Sequence, residues 1–223
     1  MREHIVLGAA RTGTHMVTRV LDALGVDMGL RACDDNGEHL VFTETDRAIM
    51  NELGQPVGDK NGRLLVDAQP TEWTNGLCSK QVENYRTAAN GKPWGWKCGT
   101  TIFTFPCYEP FLEEPALIIT HRNPWAAARS QEKLMTALHL PNVEGPLTRQ
   151  EVFLRVVQGA YLAIFTLLER FNYLPRVHVS YEAMLEAPIP GVHALATALG
   201  LEPKDYQIRE AIDVVDRSKR HWQ

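Results

Sequence analysis

The stretch from His4 to Thr14 constrains the fold of this chain more than any other. An apolar strand pattern, His4–Leu7, runs into Gly8-Ala9-Ala10-Arg11-Thr12-Gly13-Thr14 and then into a helical pattern rich in Val, Leu and Met over Thr14–Leu24. A strand that feeds a short glycine-bearing loop and then a helix collects free backbone N–H groups and the positive end of a helix dipole at one point. That is a setting for phosphate or sulfate. The Gly8-to-Gly13 spacing is similar to that of a Walker loop, but Thr14 stands where its lysine is required and His15 where its magnesium-binding Ser or Thr should be. Arg11 supplies a cation from inside the loop instead, and a guanidinium holds anionic oxygens through charge-assisted hydrogen bonds. Read alone, the same residues also fit a glycine turn beside a solvated arginine.

Further strand patterns at Trp94–Lys97, Leu117–Thr120 and Val177–Ser180 alternate with helical ones. The helices are expected at Thr45–Leu53, Ser79–Ala89, Trp125–Leu138, Thr148–Phe171, Val192–Leu199 and Lys204–Val214, an alternation that predicts an α/β domain with a largely parallel sheet. Thr148 precedes Glu151 by the spacing of a capping box, and Pro175 follows the pattern as a stop signal. Gly54 to Asn75 mixes Gly, Pro, Asp and Asn and reads as an irregular surface excursion. With 223 residues, 44% of them hydrophobic, the expectation is one domain spanning 1–223.

A formal net charge of −4 carries no global basic field, which argues against nucleic acid as a partner and makes any anion site a local one. Cys33, Cys78, Cys98 and Cys107 form neither a Cys-x-x-Cys pair nor a zinc spacing, so they read as isolated thiols of a reducing compartment. Met1 leads directly into the first strand pattern, without a signal peptide, an anchor or a membrane span; the expected location is cytoplasmic.

A second anion site is expected after Leu117–Thr120, where His121-Arg122-Asn123-Pro124 leads into a helix with Ser130 eight residues after Arg122. Pro124 suits the first helical turn, which leaves Arg122 in the loop at the carboxyl end of a parallel strand, where open α/β sheets bind ligands. Two separated anion sites at one sheet edge suit a nucleotide with phosphates on both sides of its ribose. Taken singly, Arg122 also fits a surface charge, and His121 a neutral core or loop histidine.

Together these residues resemble the 3′-phosphoadenosine 5′-phosphosulfate (PAPS)-dependent sulfotransferase family, especially its bacterial branch. Arg11-Thr12-Gly13-Thr14 is similar to the family's 5′-phosphosulfate loop, and Arg122 with Ser130 to its 3′-phosphate motif. Val177-His178-Val179-Ser180-Tyr181-Glu182 resembles the strand whose Tyr approaches the adenine, and Gly95-Trp96-Lys97 the strand that brings a Lys to the transferring sulfuryl group. These landmarks stand in family order from residue 5 to about residue 188. The resemblance implies a three-layer α/β sandwich around a central, mostly parallel sheet, the P-loop NTPase-like sulfotransferase fold. It also implies PAPS as co-substrate, no metal, and transfer to an acceptor hydroxyl or amine. The implied cofactor-binding residues are Arg11, Thr12, Gly13, Thr14, His15, Arg122, Ser130 and Tyr181, and Arg11 and Lys97 also serve the chemistry.

The chain departs from the family in two places. His15 replaces the usual Ser or Thr, although an imidazole also donates hydrogen bonds, and Cys98-Gly99 follows Lys97 where cytosolic animal relatives carry their catalytic His. Carbohydrate sulfotransferases use a Glu after the first helix as base, which points to Glu44, with Glu38, His39 and Asp46 in reserve. Glu44 and Asp46 equally fit acidic residues at a helix start. Arg217-Ser218-Lys219-Arg220 reads as a solvated tail or a cover for the 3′-phosphate. Trp73, Trp94, Tyr108 and Leu138–Pro146 are candidate linings for a small-molecule or carbohydrate acceptor site, and equally candidate core. The competing readings are a P-loop-type nucleotide-dependent kinase and a non-catalytic nucleotide-binding module.

Overall fold

The computed structural model describes residues 2–34, 37–53, 70–137 and 148–220. Strands β1 (Glu3–Gly8), β2 (Trp94–Lys97), β3 (Pro115–His121) and β4 (Arg176–Ser180) pair in parallel in the order β2-β1-β3-β4. β1 is buried along its whole length and β3 at every position but His121, as expected of parallel strands covered on both faces.

The side-chain period of two sorts each strand between two cores. Ile5, Leu7, Leu117 and Ile119 join the layer made by α2 (Leu40–Glu52), α3 (Glu72–Ala89), α4 (Thr101–Tyr108) and α6 (Arg149–Arg170). Val6, Ile118 and Val179 face α1 (Thr14–Ala23), α7 (Tyr181–Glu186), α8 (Pro188–Leu199) and α9 (Asp205–Arg220). The result is the expected three-layer sandwich. The chain leaves β1 toward β2 on one side and then crosses to β3 and β4 on the other. The crevice between the carboxyl ends of β1 and β3 is therefore the topological switch point, where open α/β sheets bind ligands.

Several elements differ from the sequence reading. α2 begins at Leu40, not Thr45, because Phe42 and Trp96 stack at 4.2 Å and hold the extra turn in the core. α3 begins at Glu72, not Ser79; Thr71 and Thr74 form its capping box, so Glu72–Asn75 is helix and not part of an irregular excursion. The rest of that excursion, 54–69, lies outside the described residues, as does 138–147, which contains the Leu138–Pro146 segment. α4, which carries Pro106 inside it, has no counterpart in the expected pattern. α9 runs to Arg220, with Val214 and Val215 buried, so the backbone of the basic run continues a helix packed on the core.

Thr148 and Glu151 do form the expected capping box, with Thr148 N–H donating to Glu151 Oε2 at 2.8 Å. The helix that they start, α6, is long and apolar enough to cross a membrane by length and composition. Here it lies against the sheet, with Ala163, Ile164, Leu167 and Leu168 in the core. Of the four cysteines, Cys78, Cys98 and Cys107 are buried, and all four are free thiols.

Candidate active site

Residues 9–13 form a tight turn at the end of β1, with Arg11 at φ 66° and Gly13 at φ 93°. Thr12 braces it: its hydroxyl donates to Ala9 O at 2.7 Å and meets Thr120 Oγ1 at 2.8 Å. Gly13 tolerates no side chain, because a Cβ there would lie 2.3 Å from the Tyr181 ring. It caps α1 without any side-chain hydrogen bond, which leaves the helix dipole facing the crevice. Thr14 is buried in the first turn, and His15 is exposed beside it with its ring against Gly37. A backbone cradle of this kind fits an anionic group.

The second loop closes on the first. Arg122 donates from one terminal guanidinium nitrogen to Arg11 O at 2.8 Å, and Arg11 Nε donates to Ser130 Oγ at 3.0 Å. The Arg122 guanidinium also stacks on the Tyr181 ring, 4.7 Å from its centroid. Partial burial lowers the Arg122 pKa from its ordinary value, yet guanidinium keeps its charge in proteins. Arg11, Gly13, Arg122, Ser130 and Tyr181, which lie far apart in sequence, thus form one contiguous surface at the switch point.

Two contacts here have no sequence signal. Tyr161 of α6 accepts from Arg122 N–H at 2.9 Å and donates to Arg122 O at 2.8 Å, which fixes the backbone that carries the cation. Asn123 N–H donates to Glu182 at 3.0 Å. His121 is not a core residue: it is partly exposed, and its Nε2 lies 2.6 Å from His178 Nδ1. Burial lowers the pKa of both rings, and each also feels a neighbouring cationic group.

At the carboxyl end of β2, Lys97 is 6% exposed and its ammonium donates to Glu38 Oε1 at 3.3 Å. Gly99 N–H donates to the same oxygen at 3.2 Å, and His39 N–H donates to Lys97 O at 3.0 Å. The segment after the first helix is therefore stitched to β2 through Glu38 and His39. Glu38 Oε2 has no partner among the described residues.

No hydrogen bond or ion pair joins the Glu44 side chain to Lys97, whose carboxylate partner is Glu38. Since α2 starts at Leu40, Glu44 sits in its second turn, exposed on the side of Leu40 and Val41, with no hydrogen bond or ion pair among the described residues. The other reserves are engaged. His39 is buried and bonded to Tyr85 Oη at 2.9 Å, and burial lowers its pKa. Asp46 is fully buried and accepts from Thr100, Thr101, Thr104 and Tyr108. Burial raises its pKa while those hydroxyl donors pull the other way. Of the proposed acceptor-site aromatics, Trp94 and Tyr108 are fully buried core residues, and Trp73 is exposed.

No protein-family model matches the sequence, and no curated protein is significantly similar to it. Solved structures do match. The sulfotransferase domain of a Synechococcus olefin synthase superposes with a TM-score of 0.61 at 14% identity, over 93% of this chain and 76% of that one. A Mycobacterium avium sulfotransferase gives 0.60 at 15% identity, over 100% and 69%. A mouse sulfotransferase solved in complex with PAP gives 0.54 at 13% identity, over 100% and 67%. Identities this low speak of fold, and the turn over residues 9–13 and the Arg122 loop lie on that fold at the sheet's switch point. The chain has the fold of the PAPS-dependent sulfotransferases.

Proposed function

We propose that this chain transfers the sulfuryl group of PAPS to a hydroxyl or amine of a small-molecule or carbohydrate acceptor, without a metal. The observation that carries this reading is the joined pair of cationic loops: Arg122 reaches Arg11 O, and Arg11 reaches Ser130, at the mouth of an uncapped helix. One loop suits the 5′-phosphosulfate and the other the 3′-phosphate, as expected for a doubly phosphorylated ribose rather than a linear triphosphate.

In the step itself, the acceptor oxygen or nitrogen attacks sulfur in line, and the S–O bond to the 5′-phosphate breaks. The electron pair leaves with adenosine 3′,5′-bisphosphate. Arg11, Lys97 and the amino end of α1 stabilise the charge that develops on that oxygen. The acceptor proton goes to a carboxylate. We assign this task to Glu38 in preference to Glu44, because Glu38 is held at Lys97 by two hydrogen bonds on Oε1 while Oε2 is left to accept.

Calorimetry with adenosine 3′,5′-bisphosphate tests the nucleotide assignment: binding is expected in excess chelator. Failure to bind, with tight binding of ATP plus magnesium, would sink the reading in favour of a kinase. Mass spectrometry over an acceptor library supplied with PAPS then separates enzyme from binding module. A sulfated product is expected, and tight nucleotide binding with no product from any acceptor would support the module.

A further inference from the structure

Arg11 and Asn90 are the non-glycine residues with positive φ among the described residues, at 66° and 48°. Asn90 caps the carboxyl end of α3, a position where asparagine takes the left-handed region readily. Arginine does not: its Cβ crowds the following carbonyl, and glycine is the ordinary choice for such a backbone. A turn that carries a cation at its left-handed residue has to be held in shape from outside.

The contact that holds it is the 2.8 Å bond from the Arg122 guanidinium to Arg11 O, which fastens the carbonyl of the left-handed residue itself. Inside the turn, the Thr12 N–H and hydroxyl both donate to Ala9 O, at 3.2 and 2.7 Å, and leave the Arg11 carbonyl to Arg122. Arg122 is held in its turn. Tyr161 grips its N–H and carbonyl, and its guanidinium lies 4.7 Å from the centre of the Tyr181 ring. The same ring stands 2.3 Å from where a Gly13 Cβ would be. A chain of contacts thus runs from α6, through Tyr161 and Arg122, into the turn over residues 9–13.

On the sulfotransferase reading of what each loop binds, we propose that Arg122 is also a positioning residue for the 5′-phosphosulfate loop. Occupation of the 3′-phosphate subsite then tightens the turn that holds the reacting end of the nucleotide. A guanidinium has donors enough for both tasks, one N–H for Arg11 O and others for a phosphate. A phosphate that fixes the guanidinium removes the freedom it would otherwise lose in bracing the turn, and the linkage between the two subsites is reciprocal. A donor without a 3′-phosphate is disfavoured twice, in binding and in the alignment of its sulfuryl group.

Amide hydrogen exchange of the whole protein, followed by NMR, tests the brace with the Thr12 N–H as reporter. In the ligand-free protein Arg122→Ala should speed Thr12 exchange about tenfold, the worth of a hydrogen bond from a charged donor. Tyr161→Phe should act in the same direction by a smaller factor. The amides of Trp96 and Ile118, in the sheet, should not change and so control for global unfolding. Saturating adenosine 3′-monophosphate, which carries no 5′ group, should slow wild-type Thr12 exchange about fivefold relative to saturating adenosine. With an acceptor in hand, Arg122→Ala should lower kcat about tenfold at saturating PAPS, where lost binding alone would raise only KM. Should Arg122→Ala speed the sheet amides as well, Tyr161→Phe and the wild-type nucleotide comparison decide. Thr12 exchange indifferent to the substitutions, no slowing by bound adenosine 3′-monophosphate, or an unchanged kcat overturns the brace and leaves the nucleotide assignment standing. Failure of adenosine 3′-monophosphate to bind at all overturns the 3′-phosphate assignment, and the proposal with it.

Discussion

The hydroxyl of Tyr161 closes a two-bond clamp on the backbone of Arg122, accepting from its N–H at 2.9 Å and donating to its carbonyl at 2.8 Å. Tyr161 comes from the middle of α6, and Arg122 from the loop that follows β3. The clamp ties the second cationic loop to a helix that belongs to the core, so the position of the guanidinium is set by packing and not by the loop alone.

Arg122→Ala is expected to weaken adenosine 3′,5′-bisphosphate about ten- to a hundredfold, the worth of a charge-assisted contact of about 1.5–3 kcal/mol. Adenosine 5′-phosphosulfate, which lacks the 3′-phosphate, should lose much less. Tyr161→Phe should show the same ligand dependence at smaller size, because it frees the loop without removing the cation. Equal losses for the two ligands, measured by calorimetry, would refute the 3′-phosphate assignment.

Glu38→Gln keeps an oxygen for Lys97 and Gly99 but removes the basic carboxylate. It should lower kcat about 10²–10⁴-fold while nucleotide affinity stays within about twofold. Glu44→Gln should leave turnover within about twofold, since Glu44 projects from the exposed side of α2. The reverse outcome at saturating PAPS and acceptor would return the role to Glu44.

Stability should fall with pH because of His4. Its ring is fully buried in β1, with neither nitrogen bonded to any described residue, and burial, then the nearby Arg2 charge, lowers its pKa from 6.5 to about 4. Between those values the unfolded chain binds a proton that the folded one refuses, so stability is complete above pH 6.5 and declines toward pH 4. The loss is about 3 kcal/mol at 1.36 kcal/mol per unit. Urea titrations of His4→Phe should show a shallower slope over that window, and an unchanged slope would assign the pH dependence elsewhere.

Asp46→Ala should cost about 3–5 kcal/mol, because it removes the common acceptor of four hydroxyls and leaves several of them buried without partners. The bonds from Thr100, Thr101, Thr104 and Tyr108 tie α2 to α4 behind the Lys97 edge of the sheet. A drop in the urea midpoint without a matching loss of nucleotide binding is expected. A variant as stable as wild type would mean that α4 is held by its apolar contacts alone.

Local chemistry was enough, from the sequence alone, for the four strands, the glycine-bearing loop after β1 and the Thr148 cap of α6. Continuous apolar runs mark buried parallel strands, a glycine-bearing loop after a strand exposes amides, and a Thr and Glu three apart satisfy a helix end whatever surrounds them. For the same reason the loop residues from Arg11 to Thr14 and the Arg122–Ser130 pair could be named before their meeting was visible. Contacts between distant segments were decided only by the tertiary structure. α2 gained its first turn because Phe42 found Trp96, and that turn put Glu44 in the second turn of the helix while Glu38, before it, came to lie beside Lys97. Tyr161 and Asp46 carry no motif, since a tyrosine or aspartate in a helix reads alike whether its partner is water or a segment distant in the sequence. Periodicity records which face of an element is buried; it holds no record of what lies opposite, and the contact between Lys97 and Glu38 is a fact about what lies opposite.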